Sequence, residues 1–327
     1  MRPRALLVVC ALGLALASVL GVSFGSGSAG MGDLFGAATG AHYIVVGVRL
    51  PQVLLAVITG AGLAAVGAAF QTVLRNPLAE PYVLGVSGGA ALGATIVLVL
   101  GGGVGLLGAA GVPAAAFVGG GAATALVWSL AVAGRASGPS ILLAGVVVNA
   151  MAGAWITLLE AVAEPGRLPP LVRWLMGYLE PRSWGELGFV AAYVAVGLAV
   201  LLRDAGRMNL LALGDEPAAS LGLDVRALER RTFFACAAVV GAIVSVTGLI
   251  GFIGLVVPQA IRRVTGPDLR VVLPASALAG GATLVLCDLF VRLLERVLHQ
   301  PVPVGAVTAL AGGPVFLVLL RRRAAVV

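Results

Sequence analysis

Long apolar segments recur along the whole chain, separated by short clusters of arginine, proline and other polar residues. Most of these segments approach the roughly 20 residues that an α-helix needs to cross about 30 Å of hydrocarbon. The pattern predicts an all-α, polytopic membrane protein with about ten spans in a single transmembrane domain over residues 1–327. The predicted spans are 5–24, 49–74, 84–101, 113–134, 141–161, 187–202, 232–250, 252–264, 271–294 and 303–320.

Small residues and two interruptions organise these spans. Gly60, Gly62 and Gly67 fall within one predicted helix, and small residues let helix backbones approach closely in a membrane. The stretches 76–81 and 257–259, each containing proline, interrupt apolar runs at comparable places in the two halves. Paired interruptions indicate an inverted repeat that relates spans two to five with spans seven to ten.

Composition supports the membrane assignment and excludes several mechanisms. Hydrophobic residues make up 60% of the chain and charged residues 11%, whereas soluble domains carry about 25% charge. The net charge of +7 is dispersed between apolar runs, so it forms no nucleic-acid-binding patch. All 21 basic residues are arginine, which excludes a Schiff-base lysine and the lysine of a phosphate-binding loop. If ATP drives this protein, another chain hydrolyses it.

The arginines also predict the orientation, because basic residues accumulate in short cytoplasmic loops. With the N-terminus inside, fifteen arginines fall on the cytoplasmic side and six outside, so both termini are expected in the cytoplasm. The six predicted outer arginines are Arg49, Arg167, Arg173, Arg182, Arg292 and Arg296. The segment 2–21 also has features of a secretory signal, but the many spans after it favour an uncleaved first helix.

Two polar segments stand out between the spans. The stretch 204–231 contains short amphipathic patterns with Asp215 and Glu216 at a helix start, and either docks a partner or is a solvated connector. The stretch 165–184 is rich in proline and includes Trp174 and Tyr178, residues that prefer the membrane interface. We expect a short helix lying at the outer membrane surface there.

Several long strings resemble the FecCD family of ABC permeases, which import cobalamin, haem and ferric siderophores. They are RLPQVLLAVITGAGLAAVGAAFQTVLRNPLAEPYVLGVSGGAALGA (49–94), MNLLALGDEPAASLGL (208–223), GLIGFIGLVVPQAIRRVTGPDLRVVLPASALAGG (248–281) and PVPVGAVTALAGGPVFLVLL (301–320). Ordered strings of this length are far more specific than a short motif. They cover most of the chain from residue 49 onward.

The resemblance implies a non-catalytic subunit of the inner membrane. Its partners would be a second permease copy, two cytoplasmic ATPase subunits that bind ATP and magnesium, and usually a periplasmic substrate-binding protein, with no cofactor or metal bound directly by this chain. The family's coupling helices, which contact the ATPases, match one segment of this sequence. That segment consists of Leu213, Gly214, Asp215, Glu216, Pro217, Ala218, Ala219, Ser220, Leu221, Gly222 and Leu223.

The resemblance also assigns residues along the transport path. Arg49 and Arg292 match arginines that meet acidic residues of the binding protein, although Gln52 replaces the second arginine of the family's RLPR motif. An alternative for Arg292 is a helix-end anchor paired with Asp288 or Glu295 at helical spacing.

Further inward, the resemblance places a gate and a path. The predicted cytoplasmic gate is the turn Ser137, Gly138, Pro139 and Ser140, and the predicted path residues of the fifth span are Asn149 and Thr157. Any helix hairpin needs a turn, and helix–helix hydrogen bonding explains Asn149 equally well as path lining.

Two other functions are less consistent with the sequence. An ion-coupled secondary transporter usually carries acids deep within its spans, whereas Glu160 and Asp288 fall near predicted outer ends. An intramembrane enzyme would need a nucleophile or metal cluster, and the two histidines, His42 and His299, have no ligand-like neighbours. Haem, siderophore and cobalamin cannot be distinguished from these residues, and only the abundance of iron chelates in the family favours an iron chelate.

Overall fold

The fold is a bundle of membrane-spanning helices, seen in a computed structural model that describes residues 3–25, 40–101, 111–133 and 138–324. No strand occurs among these residues. Within the described ranges, seven helical segments are long and apolar enough to cross a membrane, and they contain α1, α3, α5, α6, α8, α10 and α12. Their bounds are α1 Pro3–Ser23, α3 Leu50–Val73, α5 Gly111–Ala133, α6 Gly138–Val162, α8 Trp184–Leu211, α10 Val225–Thr247 and α12 Leu269–Leu298.

Shorter helices complete the bundle. Three of them, α4, α11 and α13, bring the spans to the predicted ten, which confirms the polytopic all-α fold. Their bounds are α4 Val86–Leu100, α11 Ile253–Thr265 and α13 Val304–Ala324. The remaining elements are α2 Gly40–Tyr43 with the π-helix Ile44–Arg49 leading into α3, α7 Leu168–Met176, α9 Asp215–Ser220, and the 3-10 turns Pro81–Leu84 and Pro165–Arg167.

The predicted loop 204–231 is mostly helical. Helix α8 continues to Leu211 and α10 begins at Val225, so only residues 212–224 lie between them, with α9 in the middle. Polar residues therefore extend both helices beyond their apolar parts, which is why the apolar pattern placed the ends at 202 and 232. At the other end of the bundle, the predicted surface segment 165–184 contains α7, whose apolar side includes the buried Leu171.

Helix α3 is the centre of the bundle. Most of its apolar part is buried inside the bundle, and it packs against α8, α10, α11 and α12. Glycine makes this possible, because a methyl group on Gly60 would collide with the carbonyl oxygen of Gly280 on α12. A methyl group on Gly67 would likewise collide with the carbonyl of Gly254 on α11. The predicted small-residue packing face is confirmed by these close backbone approaches.

The two halves run in opposite directions through the membrane. Helices α3 to α6 form the first half and α10 to α13 the second. Five spanning helices, α3, α4, α5, α6 and α8, precede α10, and this odd number places the starts of α3 and α10 at opposite ends of the bundle. Each half is broken after its first helix, by residues 74–80 and by residues 248–252. The second break thus lies before the predicted 257–259, and Pro258 is inside α11.

Candidate functional site

The two breaks meet and hydrogen-bond to each other. Glu80 accepts a hydrogen bond from the backbone N–H of Phe252 at 2.7 Å, and the Tyr82 hydroxyl accepts one from Ile250 N–H at 2.9 Å. Phe252 has a left-handed backbone (φ 69°), which turns the chain sharply into α11. The two hydrogen bonds of this junction join the halves, and they satisfy backbone N–H groups that would have no partner in hydrocarbon.

Gln71 supplies the donor that Pro258 removes from α11. Proline has no N–H, so the Gly254 carbonyl four residues earlier lacks its helical partner. The Gln71 side-chain amide donates to Gly254 O and Leu255 O, both at 3.2 Å. Gln259 in turn donates to Gln71 Oε1 at 2.8 Å. These contacts show an architectural role for the break region.

The predicted coupling segment lies at the predicted cytoplasmic end, between α8 and α10. Asp215, in the first turn of α9, forms an ion pair of 2.8 Å with Arg75, which follows α3. The side chains of Leu213 and Leu221 are exposed, whereas Ala218 is buried against the bundle. The segment therefore combines an internal anchor with an outward surface that is both acidic and apolar. Sequence reasoning missed Arg75 as the partner, since the 140 positions between the two residues leave no local signal.

Polar contacts hold the helices beside α9 in place. Buried Asp204 on α8 pairs with Arg207 at 3.0 Å and contacts Arg231 of α10 at 2.5 Å. Asn209 donates to Asp268 at 2.7 Å and accepts from Leu269 N–H at 2.9 Å, which fixes the start of α12 against α8. A displacement of α9 would thus be transmitted to α3, α8, α10 and α12 through these ion pairs and hydrogen bonds.

Arg49 and Arg292 lie together at the predicted outer end but are buried, with 3% and 4% of their surface exposed. Arg49 donates to Val22 O (3.2 Å), and Arg292 donates to Gly21 O (2.9 Å), in the last turn of α1. Arginines satisfy the free carbonyls at a helix C-terminus in this way. Both arginines therefore anchor the end of α1, and their docking role stays a prediction.

The alternative considered for Arg292 is present in the structure. Its Nε lies 3.0 Å from Asp288 one turn earlier, and Gln52 Nε2 donates to the other oxygen of Asp288 at 2.9 Å. Gln52 thus donates a hydrogen bond to a carboxylate inside the bundle. A second arginine at this position would neutralise the same carboxylate. These three residues line one side of an outer cavity of about 400 Å³. Its other side carries Arg173, which pairs with Glu180 at 2.7 Å.

The two predicted path residues of α6 differ in their surroundings. Asn149 donates to Tyr82 O at 2.8 Å and accepts from Gly88 N–H at 3.0 Å, so it ties α6 to the break and to the start of α4. Helix–helix bonding, one of the two alternatives for Asn149, is thus observed. Thr157 is exposed and donates only to Gly153 O of its own helix at 3.1 Å. Its place on the path stays a prediction.

The predicted gate lies at the start of α6. Ser137 falls outside the described residues, and Gly138, Pro139 and Ser140 form the first turn of the helix. Proline suits a first turn because its missing N–H has no helical partner there. The gate role of these four residues therefore stays a prediction.

Comparison with known proteins identifies relatives along nearly the whole chain. The sequence model of the FecCD transport family matches residues 13–322. The cobalamin import system permease protein BtuC of Halobacterium salinarum is 43% identical over 88% of this chain and 76% of its own length. The hemin transport system permease protein HmuU of Yersinia pestis is 38% identical over 97% of this chain and 93% of its own length.

A solved structure has the same fold. It is described as an inward-facing conformation of a metal-chelate-type ABC transporter, and it superposes with a TM-score of 0.88 at 28% identity. The match covers 98% of this chain and 99% of that one. The similarity therefore includes both halves, the breaks and the segment between α8 and α10.

Proposed function

Because this chain belongs to the FecCD transport family, we propose that it is the permease subunit of an ABC importer that carries a metal chelate, haem or cobalamin into the cell. The main support for this proposal is the family match over residues 13–322, together with a solved transporter structure that superposes along 98% of the chain. A permease is not itself an enzyme. Since the chain has no lysine for a phosphate-binding loop, ATP and magnesium belong on a separate ATPase subunit.

Three kinds of partner follow from this proposal. Two cytoplasmic ATPase subunits would contact α9 and its flanking residues, where exposed Leu213 and Leu221 border Asp215 and Glu216. A second copy of the permease would face the first across the path, and the apolar exposed side of α6 supports such a contact. A periplasmic binding protein would deliver the substrate to the outer end. The complex would sit in the inner membrane with both termini in the cytoplasm.

The test is transport by the reconstituted complex. The permease is co-purified with its partner ATPase and placed in proteoliposomes, and the cognate binding protein is added on the side of the membrane opposite the ATPase. We expect ATP-dependent accumulation of one compound among haem, cobalamin and a ferric siderophore, and an iron chelate is our first choice. Accumulation driven by a proton or sodium gradient without ATP would instead establish the ion-coupled alternative.

The docking proposal for Arg49 and Arg292 needs two measurements because both residues are buried. Reversal of both charges should weaken association with the binding protein, and the effect should be larger at low salt, where ionic attraction is less screened. Thermal stability is measured on the same variant. A lower melting temperature with unchanged affinity at low salt would assign both arginines to the α1 anchor alone.

A further inference from the structure

A second cavity lies on the perimeter of the bundle, away from the coupling segment. It has a volume of about 590 Å³ and is formed by the start of α5, the start of α8 and the end of α10. These three helix ends lie at the predicted outer side of the membrane. Pockets of roughly 300–1,000 Å³ are typical of small-ligand sites. The cavity is therefore large enough for an apolar ligand of ordinary size.

The deeper walls of this cavity are apolar. They include Phe117 of α5, Phe189 of α8 and Val246 of α10, and Val118 of α5 lies at the edge. The ring centroids of Phe117 and Phe189 are 5.7 Å apart in an edge-to-face arrangement, which stabilises this wall. Ser245 also lines the cavity, but its hydroxyl donates to Ala242 O at 2.8 Å within its own helix. The inner part of the cavity thus presents little that would hold water.

The mouth of the cavity, by contrast, is polar, and Arg182 lies next to its lining residue Glu186. Ser183 and Glu186 form a capping box at the start of α8, in which the Ser183 N–H donates to Glu186 Oε2 at 3.0 Å. The other oxygen of Glu186 is 3.8 Å from Arg182 Nη1. The Arg182 and Glu186 side chains are 27% and 36% exposed, so both can contact a ligand at the surface.

The bilayer decides which ligand fits this arrangement. Val118 at the edge of the cavity is 68% exposed, so the cavity opens on the outer surface of the bundle, which in a polytopic membrane protein is surrounded by the bilayer. An apolar space beside lipid is filled by an acyl chain, because an empty one forfeits the dispersion contacts of its walls. A neighbouring cation and anion at head-group depth match the phosphate and the amine of a zwitterionic lipid.

We propose that this groove binds one phospholipid, with an acyl chain between α5, α8 and α10 and an ethanolamine head group on Arg182 and Glu186. The groove is separate from α9 and from the predicted path residues. The bound lipid would pack the outer ends of α5 and α10, which belong to different halves of the repeat. Lipid composition would thereby influence how the halves move relative to each other.

Native mass spectrometry of the purified permease, titrated with phosphatidylethanolamine or phosphatidylglycerol, tests the proposal. Ala114 lines the groove, and Ala114→Phe should fill it and abolish one high-affinity phosphatidylethanolamine adduct per chain. Ala125 lies three turns along the same face of α5 and is exposed outside the groove, so Ala125→Phe is the matched control and should retain the adduct. Glu186→Gln keeps a capping-box side chain and should reduce the preference for phosphatidylethanolamine over phosphatidylglycerol at least threefold.

Three outcomes would overturn the proposal. The first is an unchanged adduct number in Ala114→Phe. The second is loss of the adduct in both phenylalanine variants. The third is conversion of a dimer to a monomer by Ala114→Phe, which would show that a second copy covers the groove. Melting curves of all variants are recorded, and equal melting temperatures of Ala114→Phe and Ala125→Phe exclude misfolding as the cause of a difference.

Discussion

At the scale of single residues, two breaks in backbone hydrogen bonding are satisfied by side chains from distant parts of the chain. Pro258 leaves the Gly254 carbonyl without a helical donor, and Gln71 provides one from α3. The sharp turn before α11 leaves the N–H groups of Ile250 and Phe252 free, and Tyr82 and Glu80 accept them. In hydrocarbon an unpaired backbone group costs several kcal/mol, so these partners are essential to the fold.

The Gln71–Pro258 relation is testable by a double-mutant cycle. Gln71→Leu should destabilise the permease by about 1–3 kcal/mol, because it leaves buried acceptors without a donor. Pro258→Ala restores the missing N–H, so Gln71→Leu should cost less in that background. Thermal unfolding in detergent of the four proteins gives the coupling. An equal loss in both backgrounds would contradict the compensation.

Sequence alone predicts little of this residue-scale network. The strings around Gln71 and Pro258 identify the family, but neither residue carries a local signal for a partner more than 180 positions away. The same holds for Glu80 and Phe252, which are 172 positions apart. Spacing rules act within one helix, and the i, i+4 pair Asp288–Arg292 is the contact that they did anticipate.

At the scale of helices, four of the six predicted outer arginines have a common structural task. Arg49 and Arg292 contact the last carbonyls of α1, Arg167 contacts Val99 O near the end of α4, and Arg182 donates to Val246 O at the end of α10. All three helices end at the predicted outer side, where their dipoles are negative. These exceptions to the arginine asymmetry are therefore C-terminal caps.

The capping role predicts unequal effects for two neighbouring arginines. Arg182→Met keeps the length of the side chain but removes the donor to Val246 O, and it should destabilise the protein by about 1–3 kcal/mol. Arg173 is half exposed and paired with Glu180, so Arg173→Met should cost at most about 1 kcal/mol. Melting temperatures of the two variants test this order. Equal values would refute it.

Helix α9 should act on coupling rather than on stability. In its ion pair, Arg75 is 37% and Asp215 51% exposed, and such pairs contribute only about 0–1 kcal/mol. Charge reversal at Asp215 and Glu216 should therefore leave the melting temperature nearly unchanged while it uncouples ATP hydrolysis from uptake. Reversal of the exposed Glu164, at the opposite end, is the control. Normal substrate-stimulated ATPase and uptake in the Asp215 and Glu216 variant would contradict the assignment.

At the scale of the whole molecule, the membrane explains what sequence reasoning achieved. Each span must be a helix with apolar sides, so ten spans and their order can be predicted from the local pattern alone. The ends of α8 and α10 were misplaced because polar residues continue these helices past the apolar part. Which helices pack against each other could not be predicted, because lipid and neighbouring helices are equally apolar and hydropathy does not distinguish them.

Small residues supply the distinction that hydropathy lacks, and this gives the last prediction. Gly60 on α3 and Gly280 on α12 are in such close backbone contact that a methyl group on either collides with the other's carbonyl oxygen. Since α12 packs extensively on α3, the Gly60→Ala variant must separate two central helices and should lose about 1–3 kcal/mol of stability. Gly13→Ala, in a part of α1 where a methyl group meets no atom within 4 Å, should leave the melting temperature unchanged or slightly higher. If both variants melted like the parent protein, close packing of α3 on α12 would not hold the two halves of the repeat together.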